Sequence, residues 1–241
     1  MNLIIDAGNT LIKTSVYDLK KELHHEQFEL SNFVLKVKSI FKEFPEITHA
    51  IISSVGALDK KEIAVVGLFC KVHLLTSKSK TPFKNSYATP ETLGVDRIAL
   101  ATAAFYHNPN GNTLVIDAGT CITYDLVNDY GEYLGGAISL GLNMRYKALH
   151  QQTSKLPLLQ AEDIIDFIGN STNSSIHSGV VNGISGEINA IIAQYEQRFK
   201  DLTIFLTGGD ALFLSKRTKN TIFATPKFLL EGLNYLLDYN K

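Results

Sequence analysis

The phrase Leu-Ile-Ile-Asp-Ala-Gly at residues 3–8 returns as Leu-Val-Ile-Asp-Ala-Gly at residues 114–119. In both copies three apolar residues run into Asp-Ala-Gly, and a second apolar-rich run follows at once. That pattern reads as a strand, a tight turn and a returning strand, with a carboxylate and a glycine at the tip. One such tip is a turn and nothing more. A pair, opening each half of the chain, predicts a duplicated α/β unit whose two loops face one ligand.

The rest of the chain fits that grammar. Residues 2–6 and 11–17 form the first hairpin, 20–31 finish a third strand, and 33–41 carry apolar residues at helical spacing before Pro45. A buried strand at 49–55, a short helix at 60–66 and a strand at 71–75 follow, an alternation that predicts a sheet with parallel strands and flanking helices. Residues 76–93, with Pro82 and Pro90, read as a long loop, and loops of that length are usually functional. Then comes an apolar helix at 98–106. The Asn108-Pro109-Asn110-Gly111 cluster marks the best boundary, giving lobes of 1–110 and 111–241. Beyond it strands are expected at 115–118, 121–127 and 133–139, and a helix at 142–151. A polar segment with a short helix at 160–171 precedes a long helix at 173–198. Gly179, Gly183 and Gly186 lie along that helix, where each costs about 1 kcal/mol against alanine, so close packing is expected to explain them. A strand at 202–206, a helix from about 210 and an amphipathic helix at 228–239 close the chain.

Composition narrows the class. With 241 residues, 45% of them hydrophobic, the chain can bury a substantial core, and no apolar run is long enough to span a bilayer. The formal net charge is −1, and no basic tract stands out beyond 78–84, which argues against a nucleic-acid partner. Cys70 and Cys121 make neither a metal cluster nor a disulfide framework, and the chain opens straight into a strand. Together these imply a cytoplasmic protein with no membrane association. The seven histidines show no metal-ligand spacing.

A glycine-containing turn lets backbone N–H groups approach a phosphate chain closely, and a neighbouring Asp can anchor a hydrated magnesium ion. Asp6 with Gly8, Asn9 and Thr10 can act from one side, and Asp117 with Gly119 and Thr120 from the other. Each alone is also an ordinary β-turn composition. A third piece is Thr203-Ile204-Phe205-Leu206-Thr207-Gly208-Gly209-Asp210, an apolar strand ending in a double glycine before a helix. It suits a flat base or ribose, with a helix N-terminus nearby.

These pieces, in this order, resemble the actin-like (ribonuclease H-like) ATPase superfamily of acetate and sugar kinases, and within it the type III pantothenate kinase family. The resemblance covers the whole chain. It rests on Asp-Ala-Gly-Asn-Thr at 6–10, Gly-Val-Asp-Arg at 94–97, Asp-Ala-Gly-Thr at 117–120, Gly-Gly-Ala-Ile-Ser at 135–139 and Thr-Gly-Gly-Asp at 207–210. Ala7 stands where the family usually has Ile or Val, and Leu140 where it usually has proline, which bears on the rigidity of that loop.

The resemblance implies an α/β, duplicated actin-like fold of two lobes, each a mixed sheet flanked by helices. It implies phosphorylation of pantothenate by ATP with Mg²⁺, the first step towards coenzyme A, by a homodimer. The ATP-binding residues would be Asp6, Ala7, Gly8, Asn9, Thr10, Leu11, Ile12, Lys13, Thr120, Gly208 and Gly209. Asp96 would be the catalytic base, orienting the hydroxyl and accepting its proton. The alternative for Asp96 is a helix N-cap. Tyr87, Gly94, Val95, Asp96, Arg97 and Thr172 would hold pantothenate, with Arg97 suited to a carboxylate; Thr172 could equally be an N-cap. Asp117 would bind a monovalent cation, K⁺ or NH₄⁺, although a magnesium role fits the same carboxylate. Two rival functions stay open: a phosphohydrolase of the same superfamily, and a non-enzymatic accessory or regulatory protein.

Overall fold

A computed structural model describes residues 1–8, 11–54, 58–164, 166–218 and 222–241. Two compact units emerge, one of Met1–His107 with Phe228–Lys241, the other of Asn108–Lys227.

The first unit contains β1 (Asn2–Ala7), β2 (Ile12–Asp18), β3 (Lys21–Phe28), α1 (Phe33–Glu43), β4 (His49–Ser54), α2 (Lys60–Gly67), β5 (Lys71–Leu74), the two-residue β6 (Lys84–Asn85) and α3 (Val95–His107). Its sheet runs β3-β2-β1-β4-β5. The hairpin β1–β2 is antiparallel, whereas β4 joins β1 in parallel. A strand in that central place is covered on both faces, which is why β1 is apolar at nearly every position and buried along its whole length. Helix α1 turns Phe33, Val37, Ile40 and Phe41 inward at helical spacing onto Leu3, Ile5 and Val16. Helix α2 starts in a capping box, Asp59 accepting from the Glu62 N–H while Glu62 accepts from the Asp59 N–H.

The second unit repeats the arrangement with β7 (Thr113–Ala118), β8 (Cys121–Val127), β9 (Glu132–Leu140), α4 (Leu142–Gln151), α5 (Thr172–Arg198), β10 (Thr203–Thr207), α6 (Ala211–Ser215) and β11 (Phe223–Ala224). Within it β11, β10, β7, β8 and β9 lie side by side in that order. As β1 does with β2 and β4, β7 pairs antiparallel with β8 and parallel with β10. Ile176, Val180, Ile184, Ile188 and Ile192, four residues apart along α5, bury one stripe against Leu114, Ile116, Tyr124 and Leu126.

The closing helix α7 (Phe228–Asn240) packs on α3, β1 and β4, so the chain returns to its first unit, where the sequence grouped 111–241 together. Gly232 permits this, because a methyl there would overlap the Ala99 carbonyl. Asn2 donates to Asn234 at 2.7 Å and to Asp238 at 2.9 Å, fixing the first strand to the last helix.

Two sequence expectations fail. Residues 160–171 hold no helix among the described residues. Their backbone is partnered by side chains instead, the Ile168 N–H by Asp166 and the Phe167 carbonyl by Ser178. Gly179, Gly183 and Gly186 are exposed and have no atom within 4 Å of an added methyl, so close packing inside the chain does not account for them.

Candidate functional site

Asp6 ends β1 at the first Asp-Ala-Gly turn. The β1–β2 register sets Lys13 directly opposite it, and the parallel register with β4 sets Ser53 on its other side. Only 8% of Asp6 is exposed. Burial pushes its carboxyl up to about 6; the Asp96 carboxylate adds to the rise, while Lys13 and the Ser53 hydroxyl oppose it. The Ser53 hydroxyl is buried, and it was not singled out from sequence: a serine pair closing an apolar strand was the available signal. The Gly8 N–H donates to the Leu11 carbonyl at 3.2 Å, closing the turn. Among the described residues a methyl on Gly8 would meet only that carbonyl, at an ordinary 3.4 Å. Ala7 and Ile12 are buried and Leu11 is exposed. Asn9 and Thr10 lie outside the described residues.

Asp96 sits in the first turn of α3, where its carboxylate accepts from the Arg97 N–H at 2.8 Å. Helix α3 begins at Val95, and the Gly94 carbonyl accepts its first bond, from Ile98. Asp96 is therefore inside the helix and not the residue preceding it, so the N-cap alternative fails. A methyl on Gly94 would fall on the Asp96 carboxylate and push it out of its present position. Arg97 is buried, its guanidinium 5.6 Å from the centre of the Tyr87 ring. Tyr87 is itself held by its N–H, which donates to Asn85 at 3.0 Å. The first unit thus gathers Tyr87 with Arg97, and Asp96 with Asp6.

In the second unit the Gly119 N–H donates to the Cys121 carbonyl at 2.9 Å, forming the counterpart turn, with Thr120 exposed at its tip. Asp117 lies between Thr207 on β10 and Thr123 on β8. The double glycine is built onto this turn. Gly208 has φ +94°, and a methyl there would overlap both the Ala118 carbonyl and the Asp117 carboxylate. The Asp210 N–H donates to that same Ala118 carbonyl at 2.9 Å, and burial raises the Asp210 carboxyl. Gly209 has open space in front of it. Thr172 opens α5 and is exposed. The capping oxygen there is that of Ser171, which accepts from the Ser174 N–H at 3.2 Å, so the N-cap alternative for Thr172 fails as well. Thr172 lines a pocket of about 960 Å³ with Leu140, Arg145, Leu149, Leu156 and Ile176.

The donor set fits a cation that arrives with phosphate. Among the described residues no three His, Cys, Asp or Glu side chains cluster to hold a metal by themselves. Asp6 is instead a buried carboxylate that Lys13 only partly compensates against burial and the Asp96 carboxylate. Magnesium suits that, because it keeps several waters and takes few protein ligands. No helix among the described residues is long and apolar enough to cross a membrane.

A family model described as type III pantothenate kinase matches residues 2–194. A protein of Christiangramia forsetii named type III pantothenate kinase is 48% identical over 241 residues, covering 100% of this chain and 99% of its own. Among solved structures, a Campylobacter jejuni protein described as a Baf family transcriptional activator is similar, with a TM-score of 0.64 at 22% identity, over 99% of this chain and 98% of its own. A glucokinase from an Antarctic psychrotroph superposes with a TM-score of 0.55 at 12% identity, over 99% and 98%.

Proposed function

Because this chain belongs to the type III pantothenate kinase family, we propose that its two Asp-Ala-Gly turns hold the phosphates of ATP and that Asp96 activates the alcohol. The protein is a kinase of the actin-like fold, and its reaction is the phosphorylation of pantothenate by ATP with a divalent metal, in coenzyme A biosynthesis.

The observation that carries the residue assignment is the closeness of Asp96 to Asp6, sufficient for one carboxylate to raise the pKa of the other. That supports reading Asp96 as the alcohol's base, within electrostatic reach of the first turn. Asp96 orients the primary hydroxyl and accepts its proton as the bond to phosphorus forms. Arg97 pairs with the carboxylate of pantothenate, and the Tyr87 ring beneath it holds the guanidinium plane. Gly8 and Gly119, whose own N–H groups close the turns, let the turn backbones approach the phosphate oxygens closely, and Gly209 leaves room for the nucleoside. The divalent ion neutralises charge on the transferring phosphoryl group. Asp117, with Thr120 beside it, binds a monovalent cation next to the phosphates, and Thr172 contributes to the vitamin's site.

The exposed, uncovered glycines of α5 support a homodimer formed along that helix, since small residues allow a second helix to approach closely. Consumption of ATP and two unbridged thiols, Cys70 and Cys121, favour a cytoplasmic setting. Full-length relatives bearing the kinase name favour this reading over a hydrolase or a transcriptional accessory factor. A coupled assay with ATP and pantothenate, with K⁺ or Na⁺ as the monovalent ion, tests it. Phosphorylated pantothenate should form and K⁺ should accelerate it. Phosphate released from ATP at the same rate without pantothenate would favour the hydrolase.

A further inference from the structure

Behind the second turn lies a set of contacts to which no role has yet been given. Gly141 presses on the turn itself, because a methyl there would overlap both the Gly119 and Thr120 carbonyls. The end of β9 therefore forms the floor of the turn carrying Asp117 and Thr120. Leu140, the last residue of that strand, pairs with Cys121, the first residue after the turn. What holds this floor is Arg145, one helical turn into α4. Its Nε donates to the Leu140 carbonyl at 3.0 Å and its Nη2 to the Ser139 hydroxyl at 3.3 Å. The same Nη2 forms an ion pair with Glu187 of α5. The other Glu187 oxygen accepts from the buried Tyr124 hydroxyl at 3.1 Å, and Tyr124 pairs with Ile116, the residue before Asp117.

We infer that Arg145 and Glu187 are positioning residues for nucleotide binding: their linked side chains fix the end of β9, and through Gly141 the turn that meets phosphate. This rests on the reading of the second turn as an ATP-binding loop. The physical argument is one of fork geometry. A guanidinium can donate along one edge to a carboxylate and along another to a backbone carbonyl and a hydroxyl, and its plane fixes the angle between them. Gly141 precedes α4 and offers no side-chain cap, so beyond the β8–β9 ladder it is the Arg145 side chain that ties the strand end to the helix. Both charged groups are mostly enclosed, 19% and 24% exposed, so water substitutes poorly for either. A loosely held loop would not need this; a turn that aims backbone at phosphate does, since displacements of about 1 Å cost affinity steeply.

The test uses the full-length enzyme and the variants R145K, R145M and E187Q. R145K keeps the charge opposite Glu187 but cannot reproduce the fork. For R145K and E187Q we expect a rise of about 5- to 20-fold in KM for ATP, with KM for pantothenate within about twofold of the parent. A non-hydrolysable ATP analogue titrated by calorimetry should weaken in parallel, and without ligand the amides of 117–121 should exchange hydrogen faster. R145M should show the same pattern more strongly. An unchanged analogue affinity and unchanged exchange at 117–121, with only the melting temperature lowered, would reduce the pair to scaffold and overturn the inference. So would a rise confined to the KM for pantothenate, which would mean that Arg145 serves the vitamin from the pocket it lines with Thr172 and not the nucleotide turn. D117N separates the two levels. If it leaves analogue affinity unchanged, the ATP-loop reading falls and the inference falls with it; if D117N weakens the analogue and R145K does not, only the inference falls.

Discussion

Lys13 stands directly across the β1–β2 hairpin from Asp6, yet the carboxyl of Asp6 is still pushed up to about 6. Its burial and the Asp96 carboxylate outweigh the lysine and the Ser53 hydroxyl. A protein that keeps a buried charge so weakly compensated is less stable for it. On the function proposed above, the metal ion that accompanies ATP supplies the positive charge that Asp6 lacks.

That imbalance has a sign. Asp6 binds its proton more tightly folded than unfolded, so stability falls as pH climbs from about 4 to about 6 and remains lower above that. At pH 7.5 Asp6→Asn should therefore be more stable than the parent without ligand, by up to about 3 kcal/mol, and the difference should vanish below pH 4. Kinase activity should be lost in the same variant. Thermal melts across pH 4–8 check this, and parallel curves for the two proteins would show that Asp6 is not the titrating group.

Asp96→Asn should leave the melting temperature nearly unchanged, because the amide oxygen can still accept from the Arg97 N–H. Turnover should fall by about 100-fold or more while ATP affinity stays close to the parent, as loss of a general base implies. Turnover within about threefold of the parent would remove the base assignment.

The two adjacent glycines of the third motif should behave differently. Gly208→Ala forces a methyl onto the Ala118 carbonyl and the Asp117 carboxylate at a positive φ, and should cost about 2 kcal/mol or more together with ATP affinity. Gly209→Ala meets no protein atom within 4 Å, so stability should hold while ATP binding weakens. Denaturant melts beside nucleotide titrations separate these outcomes, and equal destabilisation of both would contradict the geometry.

Gly183→Ala on α5 tests the dimer. In an isolated chain the substitution should stabilise the helix by about 1 kcal/mol, since the added methyl meets nothing. Where a second helix lies against that face it should instead weaken association. Sedimentation over a range of concentrations decides between them: a parent that is an active monomer throughout would end the dimer proposal.

The periodic parts of this protein were legible in its sequence. Two apolar runs ending in Asp-Ala-Gly specify two hairpins, and the four-residue spacing of Ile176, Val180, Ile184, Ile188 and Ile192 specifies the buried face of α5, because each pattern is a local consequence of strand or helix period. Turn chemistry likewise marked the sharp bends at Gly8 and Gly119. What sequence could not supply was anything set by residues distant along the chain. Ser53 faces Asp6 only because β4 pairs in parallel with β1, Gly208 is compulsory only because β10 lies against β7, and α7 joins the first unit only because Gly232 lets it pack on α3 while Asn2 holds Asn234 and Asp238. Even the strength of Asp6 as an acid depends on how thoroughly the sheet and its helices exclude water from it. Local preference chose the elements; long-range pairing and burial decided which carboxylates ended up close together and how readily each gives up its proton.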